Sequence, residues 1–207
     1  MAPPAEIRAH QEWLGFLQPI GLVVSPTALV SAQAQVDRNI AREQEALRAL
    51  VREDEGDDGA RRVLLPDLPA FFSQFLGWEA SDLAGGPGGP ELPSALDVSV
   101  PDYEDVLSPT YAVPQLEESG GWLLLIRAEA AGTPLDKPLR EERRWQATPQ
   151  ARFERLLRAN HVAIGVLTNR TQIRLVYAPP LETTGHLTFT VADLCTVAGR
   201  PLVSALL

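Results

Sequence analysis

Apolar positions in the first eighty residues recur at helical spacing. PAEIRAHQEWLGFLQ (4–18) sets Ile7, His10, Leu14 and Leu17 along one side, which predicts a short amphipathic helix. Ser25-Pro26 offers a capping hydroxyl followed by proline at the first helical position. Leu29, Val36, Ile40, Leu47 and Leu50 follow at spacings close to the helical period, predicting one long helix to about Val51. VREDEGDDGARR (51–62) carries no apolar period and reads as a solvated loop. Asp67 caps a third predicted helix, LPAFFSQFLGW, whose Phe71, Phe72, Phe75, Leu76 and Trp78 form an aromatic cluster suited to a core.

SDLAGGPGGPELP (81–93) is the strongest structure breaker in the chain. Behind it the pattern changes to short apolar runs. SALDVSV, TYAVPQ and WLLLIRAEA read as strands, and the unalternating LLLI predicts a strand covered on both faces. Thr148-Pro149 opens the helix PQARFERLLRAN, with Phe153, Leu156 and Leu157 on one side and Arg152 and Arg155 on another. HVAIGVL, IRLVYA and HLTFTV follow as strands, and ADLCTVAGRPLVSALL as a closing helix. The order strand-strand-strand-helix-strand-strand predicts an α/β fold, a mixed β-sheet sandwiched by helices and preceded by a helical N-terminal part. The expected organisation is a helical part over 1–80, a Gly/Pro-rich linker or loop over 81–93, and an α/β domain over 94–207 packing with the first part.

Composition narrows the classes. Apolar residues make up 45% of the 207 and charged ones 22%, ordinary for a globular chain. The single cysteine, Cys195, excludes an internal disulfide and a multi-cysteine zinc site. No basic, apolar leader opens the sequence and no run is long enough to span a bilayer, so the expectation is a cytoplasmic protein without a membrane partner. A net charge of −9 argues against a generic nucleic-acid binder. The charge is uneven, however: from Arg140 to Arg174 eight arginines face three glutamates.

Pro101-Asp102 near a strand pair, the strand WLLLIRAEA, the helix RFERLLRAN and the hairpin GVLTNRTQIRLVY resemble the PD-(D/E)xK nuclease-like fold. More narrowly, the stretch from RFERLLRAN to Leu207, with QEWLGFLQPIGLVVSPTALVSAQA and LPDLPAFFSQFLGW in the front part, looks like the N-terminal nuclease-like region of large adenine-specific DNA methyltransferases. Those include type IIG restriction-modification enzymes and the class I methyltransferase of the DISARM phage-defence system. The resemblance implies double-stranded DNA as partner, possible defence-system subunits, and S-adenosylmethionine as cofactor of a full-length protein. Its methyltransferase core would lie beyond Leu207, with the last helix leading toward it. The hairpin of that family reads Thr-Asn-Gly, whereas here Arg170 follows Asn169. A positive backbone φ at an arginine costs roughly 1 kcal/mol, and the substitution adds an expected exposed charge.

Nucleases of this type hold Mg²⁺ between acidic groups and use a lysine to activate water. Asp102 or Asp105 is the candidate first acid, and Glu129 the second. The expected Glu-x-Lys is instead Arg127-Ala128-Glu129, and no Glu-x-Lys occurs anywhere in the chain. An arginine at that position repels a cation at any working pH. Methyl transfer lacks its motifs as well: Ala178-Pro179-Pro180-Leu181 has neither the amide nor the aromatic of an Asn-Pro-Pro-aromatic site, and the glycines at 85–89 do not join a strand to a helix. No catalytic or metal residues and no cofactor are therefore assigned to this chain. Arg143, Arg144, Arg152, Arg155, Arg158 and Arg170 are the candidate DNA-binding residues, read as a phosphate-tracking stripe, with a solvated face paired to Glu141, Glu142 and Glu154 as the plain alternative. Trp145, beside Arg143 and Arg144, reads as a hydrophobic plug or as a stacking surface for a base. Three functions stay open: a catalytically degenerate DNA-contacting or subunit-docking domain, a divergent metal-dependent endonuclease using Asp102, Asp105 and Glu129, and a protein-interaction scaffold built on the Leu29–Leu50 helix.

Overall fold

The computed structural model describes residues 4–21, 23–37, 39–56, 59–115, 120–138 and 145–207. Its elements are α1 (Ala5–Leu17), α2 (Pro26–Ser31), α3 (Ala41–Leu50), β1 (Arg52–Glu55), β2 (Arg61–Leu64), α4 (Leu68–Ala70), β3 (Val98–Val100), β4 (Asp105–Leu107), β5 (Tyr111–Pro114), β6 (Trp122–Ala128), α5 (Pro149–Ala159), β7 (Ile164–Thr168), β8 (Gln172–Tyr177), β9 (Gly185–Thr190), α6 (Val191–Leu194) and α7 (Arg200–Leu206). The architecture is mixed α/β. A five-stranded sheet runs β5-β6-β7-β8-β9, with β6 and β7 parallel across the α5 crossover and every other pair antiparallel. No helix among the described residues is long and apolar enough to cross a membrane.

Both faces of the sheet are covered, because its strands carry apolar side chains in both directions. Ile126, Val166, Ile173, Leu187 and Phe189 join Trp13, Leu14, Leu47, Phe71, Phe72, Leu194 and Val203 in one core. Leu125, Leu167 and Val176 face the other way and join Phe153, Leu156, Leu157, Leu107 and Leu135. The LLLI run therefore serves two cores, as its lack of alternation implies, while Leu123 at the strand's start stays exposed. The helical front thus lies on one face of the sheet, and the breaker segment reaches the sheet edge through an Ala84–Ala112 bridge.

Four elements differ from expectation. The predicted long helix over 26–51 is two helices. The chain leaves α2 through Gln33 at φ +59°, and the crossing segment is tied down by a His10–Ala34 carbonyl hydrogen bond of 3.0 Å and by Asp37 N donating to Ser204 Oγ at 2.8 Å. The stripe still reaches the core, but from two directions. The predicted loop at 51–62 is a hairpin whose register sets Asp54 opposite Arg62 and Glu55 opposite Arg61. Cross-strand charge pairing replaces the apolar alternation that marks most strands, so the pattern was invisible to hydropathy. β4 is a strand the sequence does not announce, pairing with β3 behind the turn Pro101–Tyr103. Finally, the closing helix is α6 and α7. The break is enforced at Gly199, where a Cβ would sit 1.9 Å from the Asp193 carbonyl oxygen. It is covered by α3: Gln44 Nε2 donates to the Leu194 and Thr196 carbonyls at 2.7 and 2.6 Å, and Arg48 donates to the Cys195 carbonyl.

The aromatic cluster packs as expected. The Asp67 carboxylate caps Ala70 N, and a wide π-turn over Phe71–Phe75 lets Phe72 stack on Trp78 at 5.0 Å between centroids. On the opposite face α5 sits very close to the sheet, because a Cβ at Gly165 would lie 2.5 Å from Phe153 Cζ. Gly165→Ala is expected to lower stability by about 1–3 kcal/mol through overpacking. Gly15→Ala in α1, where the added methyl meets nothing within 4 Å, is expected to raise it by about 0.5–1 kcal/mol. Denaturant unfolding of the two variants checks the opposite signs.

Candidate functional site

Two parallel strands that end side by side leave a crevice beyond their carboxyl ends, and here β6 and β7 make that pair. The sheet exits through Arg127, Ala128 and Glu129 on one strand and Thr168 and Asn169 on the other. Backbone hydrogen bonds close the gap: Glu129 N donates to the Thr168 carbonyl at 2.7 Å and Gly132 N to the Asn169 carbonyl at 3.0 Å. Asn169, buried, organises the turn. Its Oδ1 accepts from Thr171 N at 3.1 Å and Gln172 N at 2.7 Å, and its Nδ2 donates to the Thr133 carbonyl at 2.8 Å. Thr168 Oγ1 accepts from Arg170 N and donates to the Gln172 carbonyl. The Thr-Asn pair is thus a structural knot of side chains mimicking backbone, not a reactive group.

Two of the three candidate acids, Glu129 and Asp105, are each held by an arginine. Glu129 Oε1 accepts from Arg127 Nε at 3.1 Å, and the same guanidinium donates to the Ser108 carbonyl through Nη1. Asp105, 7% exposed at the start of β4, accepts Val106 N on Oδ1 at 2.9 Å. Its Oδ2 lies 2.8 Å from Arg152 Nη2, close enough for a strong ion pair although off the hydrogen-bond direction. Arg152 Nη1 donates onward to the Trp145 carbonyl at 3.0 Å. Asp102, by contrast, lies exposed on the turn before β4. Beside the end of β6, a small pocket between β4 and α5 is lined by Leu107, Ser108, Arg127, Glu129, Arg152 and Phe153. A cation entering it would meet two guanidinium groups already neutralising both carboxylates. Among the described residues no group of three or more His, Cys, Asp or Glu side chains is placed to hold a metal ion.

The expected arginine stripe does not form on the described residues. Arg143 and Arg144 lie outside them. Arg152 is 7% exposed and points inward to Asp105, because β4 supplies a wall beside α5 that hydropathy does not reveal. Arg158 is half-buried and donates to the Glu182 carbonyl at 3.2 Å. Arg170, at φ +67°, is half-buried too; its guanidinium donates to the Pro66 carbonyl and its own carbonyl accepts Leu65 N at 2.9 Å, so it is not the exposed charge expected at the hairpin tip. Arg155 remains exposed, its guanidinium carbon 5.2 Å from the centre of the Trp145 ring.

Sequence reasoning missed a second buried arginine. Arg174 on β8, 3% exposed, makes two bonds to Asp136 at 2.6 and 2.8 Å and further bonds to Gln150 and Thr188. The network fastens the β6–α5 connection across the sheet. The available signal was a lone arginine at an inward position of an otherwise apolar strand. The Arg174 hydrogen bond holds the Asp136 carboxyl below its ordinary range, while burial, helped by Arg174, lowers the affinity of His186 for a proton.

No family model matches the chain, and neither do any curated protein or solved structure.

Removing one member of the Asp105–Arg152 pair leaves a charge in the core. Arg152→Met alone is therefore expected to cost about 3–5 kcal/mol, and Arg152→Met with Asp105→Leu to recover most of that loss, read by denaturant unfolding as a double-mutant cycle. Acid should weaken the fold through His186. Its folded proton affinity is depressed, so below about pH 6.5 the unfolded chain takes up the proton first and stability falls with pH. Melting temperatures from pH 7 to 5 should fall less steeply in His186→Gln than in the parent.

Proposed function

We propose that this chain is a nuclease-like domain that has lost metal chemistry and serves as a non-catalytic module of a DNA-acting enzyme. The enzyme class that the residues resemble is an S-adenosylmethionine-dependent adenine DNA methyltransferase of restriction-modification or phage-defence type. In this reading the PD-(D/E)xK-like sheet is kept as a frame, methyl transfer belongs to a separate core, and the module contacts duplex backbone or docks a partner subunit. The observation that supports it is the occupation of both acid positions by internal guanidinium groups, Arg127 on Glu129 and Arg152 on Asp105. A fold survives such a change because its packing does not depend on the chemistry once done at its edge. The cation at position 127 satisfies the Ser108 carbonyl as well as Glu129, so it is part of the framework.

The experiment is plasmid nicking by the purified chain with Mg²⁺ or Mn²⁺. Supercoiled DNA is expected to stay intact. Cleavage that disappears in Glu129→Ala would overturn the proposal and establish a divergent endonuclease. Duplex retention on a heparin-like or DNA column, eluting earlier as salt rises and earlier again for Arg155→Glu, is expected for backbone contact. Absence of retention at low salt leaves subunit docking as the module's role.

A further inference from the structure

We propose that Trp145, Tyr103 and Arg155 form a stacking platform for an unpaired base of single-stranded nucleic acid. The proposal rests on the foregoing reading only for the class of partner, since it assigns recognition to bases and not to the duplex backbone. The Trp145 and Tyr103 rings lie within 30° of parallel, with centroids 6.4 Å apart. Tyr103 is 43% exposed, and Trp145 is half-buried with part of its ring against the α5 core. The guanidinium of Arg155 lies over the indole at 5.2 Å.

The platform is held from below by the buried pair already described. Arg152 binds the Trp145 carbonyl with Nη1 and Asp105 with Nη2, and Tyr103 stands two residues before Asp105. Thr148 then caps α5, accepting Ala151 N at 3.0 Å, so the chain from Trp145 into the helix is fixed at both ends. The segments carrying the two rings are thus positioned by one ion pair before any ligand arrives, which reduces the ordering cost of stacking. This also gives the inward arginine a consequence at the surface.

The chemistry selects the occupant. A flat aromatic ligand gains from both rings and from the guanidinium, whereas a partner's lysine or arginine would be repelled by Arg155, which already fills the cation position over the indole. Bases inside a duplex are stacked on each other and out of reach, so the ligand is unpaired. Asp102 and Glu104 flank Tyr103 in the chain and Glu154 lies next to Arg155, while Arg143 and Arg144 precede Trp145, so charges of both signs adjoin the rings in sequence. Removing the base at constant phosphate charge therefore separates stacking from charge attraction.

The test is fluorescence anisotropy of the full chain with a labelled oligodeoxyadenylate 12-mer, and with an abasic 12-mer of equal length and charge. Binding is expected to fall roughly tenfold or more for the abasic strand, and by a similar factor in Tyr103→Ala and in Trp145→Ala. Tyr103→Ala alters an exposed side chain and keeps the test valid if Trp145→Ala unfolds, which circular dichroism would reveal. Equal affinity for the abasic strand, unchanged binding in Tyr103→Ala, or no binding of either strand would each overturn the platform. None of these results bears on metal-dependent nicking, so the platform and the non-catalytic reading fail separately.

Discussion

The close approach of α5 to the sheet at Gly165 is the constraint on which the second face of the molecule depends. A glycine there lets Phe153 and Leu157 settle directly on β7, and the whole α5 core closes around them. The helix position in turn brings Arg152 to Asp105, Asn160 Nδ2 to the Leu96 carbonyl at 3.0 Å, and Gln150 to Arg174. These contacts are polar groups at the rim of an apolar contact, and none would find its partner if the helix stood a side chain farther out.

Four arginines of the sheet and its flanking helix are turned inward, although most charged side chains stay at the surface. Arg127, Arg152, Arg170 and Arg174 all spend their guanidinium groups on internal carbonyls or carboxylates. The bonds keep the buried guanidinium groups of Arg152 and Arg174 paired, the latter with an exposed carboxylate, which is the usual reason a buried charge persists. Among the described arginines of the positive sequence segment, Arg155 alone is exposed. What remains outside on α5 is Arg155 with its aromatic neighbour, a geometry better suited to a π-face than to a row of phosphates.

The hairpin knot shows how strain is offset. Arg170 takes a left-handed conformation that costs roughly 1 kcal/mol. In exchange its amide reaches Thr168 Oγ1, its carbonyl takes Leu65 N, and its side chain closes over Pro66. Asn169 fixes the same turn from the other side through Thr133. One two-residue knot thereby joins the β2–α4 connection, the β6–α5 connection and the β7–β8 hairpin.

Much of the architecture was readable along the chain. Helical period placed α1 and α5, Thr148-Pro149 placed the start of α5, apolar runs placed β6 to β9, and the unalternating LLLI told of a strand covered twice. Those features are local: a period or a cap is a property of neighbouring residues. The candidate acids Asp105 and Glu129 and the arginines near them were legible as residue types, but not their pairing. The split of the long predicted helix, the charge-paired β1–β2 hairpin, the unannounced β4 and the inward turn of Arg152 and Arg174 were decided only by the tertiary structure. In each case the deciding partner lies far away in sequence, as Ser204 does for Asp37 or Asp105 for Arg152. Periodicity says which residues share a face; only packing says what that face meets.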